Sequence, residues 1–190
     1  MLGAFQLTLC GLCDLDTQPT QEITHVVSIL DPDSPSPKAF ATFARRRRLE
    51  LRFHDVLEPE PRVVPPERQH VQELLAFGSA MIARKTAVHL LIHCHAGLSR
   101  STAAAILYLT QAHPRRSVHQ SFGEVVRLRR GAWPNLRLLE LGDEALGRQG
   151  EIVAAAGAFY RRALDANPHL GDHLVRSGRC REVAWAEQWR

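Results

Sequence analysis

A cysteine, a glycine and an arginine share one short polar stretch, His93-Cys94-His95-Ala96-Gly97-Leu98-Ser99-Arg100-Ser101-Thr102, near the middle of the 190-residue chain. A buried structural cysteine wants apolar neighbours, whereas a thiol flanked by His93 and His95 and followed by Arg100 sits where its thiolate is favoured. The stretch follows an apolar run at 87–93 and precedes an Ala- and Leu-rich segment at 101–111, so it bridges a strand and a helix. Such a loop offers unpaired backbone N–H groups and the positive end of a helix dipole. One field then binds an anion and stabilises the Cys94 thiolate. Gly97 lets the backbone curl without a Cβ clash, and Arg100 can grip two oxygens of a phosphoryl group through its planar fork. Ser101 or Thr102 can donate a hydrogen bond to the sulfur when it has to leave.

The elements that must position this loop read as strands interleaved with helices. Residues 4–9 and 24–30 ("THVVSIL") are short, β-branched and bounded by turn residues, and "LELRF" at 49–53 alternates. The apolar run at 87–93 suits a strand covered on both faces. "DPDSPSP" at 31–37 is a loop, and 38–48 reads as a helix whose last turn carries Arg45 to Arg48, the placement that the helix dipole favours. Pro66 can open a helix that buries Val71, Leu74, Leu75, Gly78 and Ile82. Ser117 and Gln120 form a capping-box pattern for a helix that runs toward Gly131, with Val118, Phe122, Val125 and Arg129 on one face. Asn135 can cap the next helix, and another spans 152–166 before Asn167-Pro168. The expected fold class is α/β, a central, mostly parallel sheet of about four to five strands flanked by helices.

Composition narrows the classes further. With 45% hydrophobic and 23% charged residues the chain is an ordinary globular protein, and the cytoplasm is its expected location. The net charge of +4 suits an anionic substrate, while a nucleic-acid partner is not expected. No apolar run is long enough to span a membrane. Cysteines 10, 13, 94 and 180 do not form a disulfide framework; Cys10-x-x-Cys13 has no second pair to complete a zinc site and reads as strand-end packing.

His93-Cys94-x5-Arg100-Ser101, with its preceding strand and following helix, resembles the signature of the cysteine-based protein tyrosine phosphatase superfamily. Two flanking features extend the likeness to the dual-specificity, bacterial-type members. "FHD" at 53–55 ends a strand where the superfamily keeps a general-acid aspartate, 39 residues before Cys94, and "VRLRRGAWPN" at 126–135 is similar to a V-R-x-x-R-x-x-x-P-N run whose asparagine braces the phosphate loop. The resemblance implies a metal-independent, cofactor-free hydrolase with a phosphocysteine intermediate. In it Cys94 is the nucleophile, Asp55 the general acid and then base, Arg100 the clamp and Ser101 the aid to sulfur departure. His95, Ala96, Gly97, Leu98, Ser99 and Arg100 bind the phosphoryl group, with phosphate or vanadate as site anions, while His93 tunes the thiol and Asn135 supports the loop.

Glu58 and Glu60 lie in the Asp55 loop and compete for the acid role; Asp55 is preferred because it directly follows the strand. Arg127 and Arg130 are open between solvated charges and a second anion contact. Substrates implied by the resemblance are phosphorylated proteins, or alternatively phosphoinositides, inositol phosphates or nucleic-acid 5′ phosphates; a non-catalytic phosphate-binding protein is the remote alternative. Lipid-directed relatives often carry lysine in the loop, and this loop has none. The chain divides into a phosphatase-like domain over 1–150 and a helical extension over 151–190 packed on it, with Trp185 and Trp189 available as anchors.

Overall fold

Four strands, each six residues long, alternate their side chains between two apolar environments, and that alternation sets the layers. The computed structural model describes residues 5–19, 21–41, 47–84 and 86–189. Strands β1 (Phe5–Cys10), β2 (His25–Leu30), β3 (Arg47–Arg52) and β4 (Val88–His93) form a wholly parallel sheet in the order β1-β4-β2-β3. In β2 and β4, the two inner strands, every residue is buried. Val27, Ile29, Leu90 and Ile92 join the main core, whereas Val26 and Leu91 point the other way, onto Cys10, Leu15, Ile23 and Ala39.

Helix α1 (Arg68–Ile82) packs against β3, α2 (Arg100–Ala112) against β4 and β1, and α3 (Val118–Leu128) against β1. Helices α4 (Leu136–Ala145), α5 (Glu151–Ala166), α6 (Leu170–Arg176) and α7 (Cys180–Glu187) build outward from this layer. Ile152, Tyr160, Leu174 and Ala186 belong to the same core as the sheet. Trp185 donates its ring N–H to the Val153 carbonyl at 3.1 Å and stacks edge-on with Trp189, which lies against Gly157. Both tryptophans therefore fasten α7 onto α5.

Two departures from expectation concern the ends of elements. The helix expected over 38–48 is only a 3-10 turn at Lys38–Ala41; residues 42–46, with Arg45 and Arg46, lie outside the described residues, and Arg47 and Arg48 open β3. β3 is an edge strand, where exposed cations discourage pairing with another chain, so these arginines need no helix C-terminus. The capping box at Ser117 does not form either: Ser117 is the N-cap, but its hydroxyl makes no capping bond, and its carbonyl accepts from the Gln120 N–H at 3.0 Å. Asn135, by contrast, caps α4, its Oδ1 accepting from the Leu138 N–H at 2.9 Å.

Candidate active site

A parallel sheet brings the residues that follow each strand to one edge, and here these are Gly11, Asp31, the Phe53-His54-Asp55 segment and the loop from Cys94 to Arg100. Ligands of open α/β sheets bind at this carboxyl edge. A cavity of about 580 Å³ opens there, lined by Cys94, His95, Ala96, Leu98, Ser99, Arg100, Asp31, His54, Asp55, Trp133, His173, Ser177 and Arg179 among others.

The loop is held by its carbonyl groups. The His95 carbonyl accepts from the Leu12 N–H at 2.8 Å, Ala96 from Arg129 Nη2 at 2.9 Å, Leu98 from the Trp133 N–H at 2.8 Å and Ser99 from the Ala103 N–H at 3.0 Å. Thr102 Oγ1 adds bonds to the Leu98 and Ser99 carbonyls at 2.7 and 2.8 Å. With the carbonyls turned outward, the N–H groups of residues 95–100 make no hydrogen bond among the described residues. Gly97 sits at φ +72°, and a Cβ there would stand 2.4 Å from the Cys10 carbonyl carbon and 2.6 Å from the Gly11 nitrogen. The turn after β1 is thus a floor that only glycine can approach.

Cys94 is buried, with Ser101 Oγ 3.3 Å from its sulfur. Arg100 is 2% exposed. Its Nη1 donates to Asp31 Oδ1 at 2.6 Å and to the Phe53 carbonyl at 2.5 Å, and its Nη2 meets His95 Nδ1 at 3.0 Å. Nε is buried and has no hydrogen-bond partner among the described residues. An unpaired guanidinium N–H in such a place is costly unless an acceptor arrives. His93 is also buried, and its pKa is lowered to about 4, chiefly by burial. His93 is therefore neutral near pH 7 and adds no positive charge beside Cys94.

Asp55 lines the same cavity, and its Oδ1 gathers three donors: Ser99 Oγ at 2.7 Å, Asn135 Nδ2 at 2.8 Å and Arg179 Nη1 at 2.9 Å. Burial alone would raise its pKa, but Arg179, then Arg100, Ser99 and Asn135 more than reverse this and hold it below the usual aspartate value. Glu58 turns away to Arg181 at 3.1 Å, and Glu60 is exposed. Neither lines the cavity. Arg127 and Arg130 are exposed as well, while Arg129 between them binds the Ala96 carbonyl and Asp14.

Asp31, Arg129, Trp133, Arg179 and Glu182 belong to the site although neither spacing nor motif singled them out. Asp31 could have been found by counting: it stands just beyond β2, as Cys94 does beyond β4. Glu182 carried a fainter signal, a carboxylate four residues before the buried Ala186 on one face of α7. It accepts from Arg179 Nε at 2.7 Å, Arg179 Nη2 at 2.9 Å, Trp133 Nε1 at 2.5 Å and the Leu136 N–H at 3.0 Å.

Among solved structures the chain is similar to Tk-PTP in its active form, with 21% identity and a TM-score of 0.55 over 77% of this chain and 93% of that one. It is similar to human DUSP28, at 23% identity and a TM-score of 0.55, over 75% and 94% of the respective chains. A human tyrosine phosphatase-like serine/threonine/tyrosine-interacting protein gives 20% identity and a TM-score of 0.53 over 75% and 92%. No protein-family profile and no curated protein sequence matches the chain. The fold is that of the cysteine-based tyrosine and dual-specificity phosphatases.

Proposed function

We propose that the protein is a phosphomonoester hydrolase that works through a phosphocysteine, with phosphotyrosine and other phosphorylated side chains of proteins as its substrates. The observation that carries this reading is the loop around Cys94, where the carbonyl groups of His95, Ala96, Leu98 and Ser99 are engaged outward while six backbone N–H groups and Arg100 Nε have no hydrogen-bond partner among the described residues. A phosphoryl group has the three equatorial oxygens that such an array fits, and fixed donors stabilise the charge that develops on them during transfer.

In the first step the Cys94 thiolate attacks phosphorus, an S–P bond forms as the P–O bond to the leaving group breaks, and the leaving oxygen takes a proton from Asp55. In the second, Asp55 accepts a proton from water as its oxygen attacks phosphorus; the S–P bond breaks, Ser101 Oγ donates to the departing sulfur, and inorganic phosphate leaves. Arg100 holds the phosphoryl oxygens through Nε and Nη2 while Asp31 and the Phe53 carbonyl anchor Nη1. Asn135 ties α4 to Asp55, and His173, Leu174, Ser177 and Arg179 of the helical extension close one side of the cavity. The four free cysteines suit the reducing cytoplasm.

The test is phosphate release from phosphopeptides, phosphoinositides and 5′-phosphorylated RNA, with Cys94→Ser as the blank. Phosphopeptides should be turned over and Cys94→Ser should be inactive yet still bind vanadate. Turnover by Cys94→Ser at the wild-type rate would overturn the covalent route, and preference for lipid or RNA would overturn the substrate class.

A further inference from the structure

We propose that Arg179, just before α7, is a positioning residue for Asp55, fixing the carboxyl group through Oδ1 so that Oδ2 is the atom that carries the proton to the leaving group. This rests on the hydrolase reading above. All three donors to the Asp55 side chain converge on Oδ1, and no described residue bonds to Oδ2. A carboxyl group held by one oxygen presents the other in a fixed direction, which is what proton delivery across hydrogen-bond distance needs.

Arg179 does more than pair with a charge. Its Nη1 donates to Asp55, its Nη2 donates to Ser99 Oγ at 2.9 Å, and Ser99 in turn donates to Asp55. The guanidinium therefore fixes the acid relative to the loop that holds the phosphoryl group. Behind it, Glu182 takes Nε and Nη2 side-on, which sets the plane of the fork; the Glu182 carboxylate is fully buried. Burial works against the charge of Arg179, but Glu182 and Asp55 outweigh it and keep the guanidinium protonated. A lysine could not make this set of contacts, because a point charge lacks the planar fork.

The positioning has a pH signature. The charged and titratable groups around Asp55 are Arg179 and Glu182 from the α7 segment, Arg100 from α2, Cys94 and His95 from the loop, Asp31 beyond β2, His54 beside it and His173 from α6. Arg179 is the nearest cation and favours the carboxylate, so the protonated acid is lost at lower pH than for an ordinary aspartate. Activity that needs the Asp55 proton then falls as pH rises through that lowered value. Without Arg179 the fall moves to higher pH.

The experiment compares wild type, Arg179→Met and Arg179→Lys in two ways. The first is the pH profile of kcat/KM with phenyl phosphate, whose leaving group needs the acid, and with dinitrophenyl phosphate, whose leaving group does not. The second is the 13C NMR titration of the Asp55 carboxyl in a Cys94→Ser background, where no turnover is required. In Arg179→Met the descending limb and the Asp55 titration should both move up by about one pH unit. Below the descending limb, where Asp55 is protonated in both proteins, the kcat on phenyl phosphate should fall about 10- to 100-fold, with much less loss on the activated ester. Arg179→Lys should recover part of both effects; if Arg179→Met does not fold, the Lys variant alone must show a smaller upward shift. An Asp55 titration that does not move, or equal loss on both esters, overturns the proposal. If phosphate release is absent in wild type, the hydrolase reading fails instead, while the titration still reports on the Arg179 contact.

Discussion

Glu182 offers the sharpest measure of how the C-terminal helices hold the site. Its carboxylate has no exposure to solvent and receives four donors, two from Arg179, one from the Trp133 ring and one from the Leu136 backbone. Glu182→Ala leaves the Trp133 and Leu136 N–H groups unpaired in the core and strips Arg179 of its principal counter-charge. Breaking a buried pair from one side costs about 3–5 kcal/mol. Asp55 still neutralises part of Arg179, which favours the lower half of that range, or a fall in Tm of about 10 °C for a chain of this size. The assay is equilibrium unfolding in urea, with Arg179→Met and Arg179→Met/Glu182→Ala as the companions. Removing both charges should cost less than the sum of the single changes, because the penalty of each lies mainly in the partner left behind. A cost for Glu182→Ala below about 1 kcal/mol, or strict additivity in the double variant, would refute the reasoning.

Gly97→Ala should abolish oxyanion binding and turnover while the fold survives, read by vanadate titration and circular dichroism: the new Cβ would meet the Cys10 backbone at 2.4 Å, in a left-handed conformation, so the loop has to shift away from the turn after β1. The stability of wild type should fall in acid more steeply than that of Asp55→Asn, since the Asp55 pKa is depressed. Its contribution is fully present above the unfolded value near 3.8 and is lost as pH falls through the lower folded value, so unfolding midpoints measured from pH 5 to pH 2 should converge at the acid end; parallel curves would contradict the shift.

What could be read from the residues alone was whatever the chain keeps contiguous. The segment from His93 to Ser101 carries its strand, its turn glycine and its helix start in one stretch, so its spacing foretells its geometry. Asp55 and Asn135 were legible because each stands at the end or start of an element whose periodicity is plain. Asp31 was hidden by "DPDSPSP", whose prolines advertise a turn and nothing more. Arg179 was hidden by distance: its partners Asp55 and Ser99 lie 124 and 80 residues away. The charge of His93 was illegible for a different reason, since only its burial fixes the imidazole as neutral.

Trp133 shows why the extension and the loop should respond together. Its backbone N–H holds the Leu98 carbonyl, its ring N–H holds Glu182, and its ring stacks on Tyr160 of α5 with centroids 4.5 Å apart. Tyr160 then donates its hydroxyl to the Pro134 carbonyl at 2.5 Å, which fixes the chain just before the Asn135 cap. The loop from Cys94 to Arg100 is thus restrained from one side by the turn after β1 and from the other by a residue whose ring is clamped between α5 and α7. Displacing α7 would release the Arg179 bond to Asp55 and the Glu182 bond to Trp133 at once. Hence Asp55 and the Cys94 loop are both secured through one helical segment, whose Arg179 lies 80 residues beyond Ser99 of that loop in the chain.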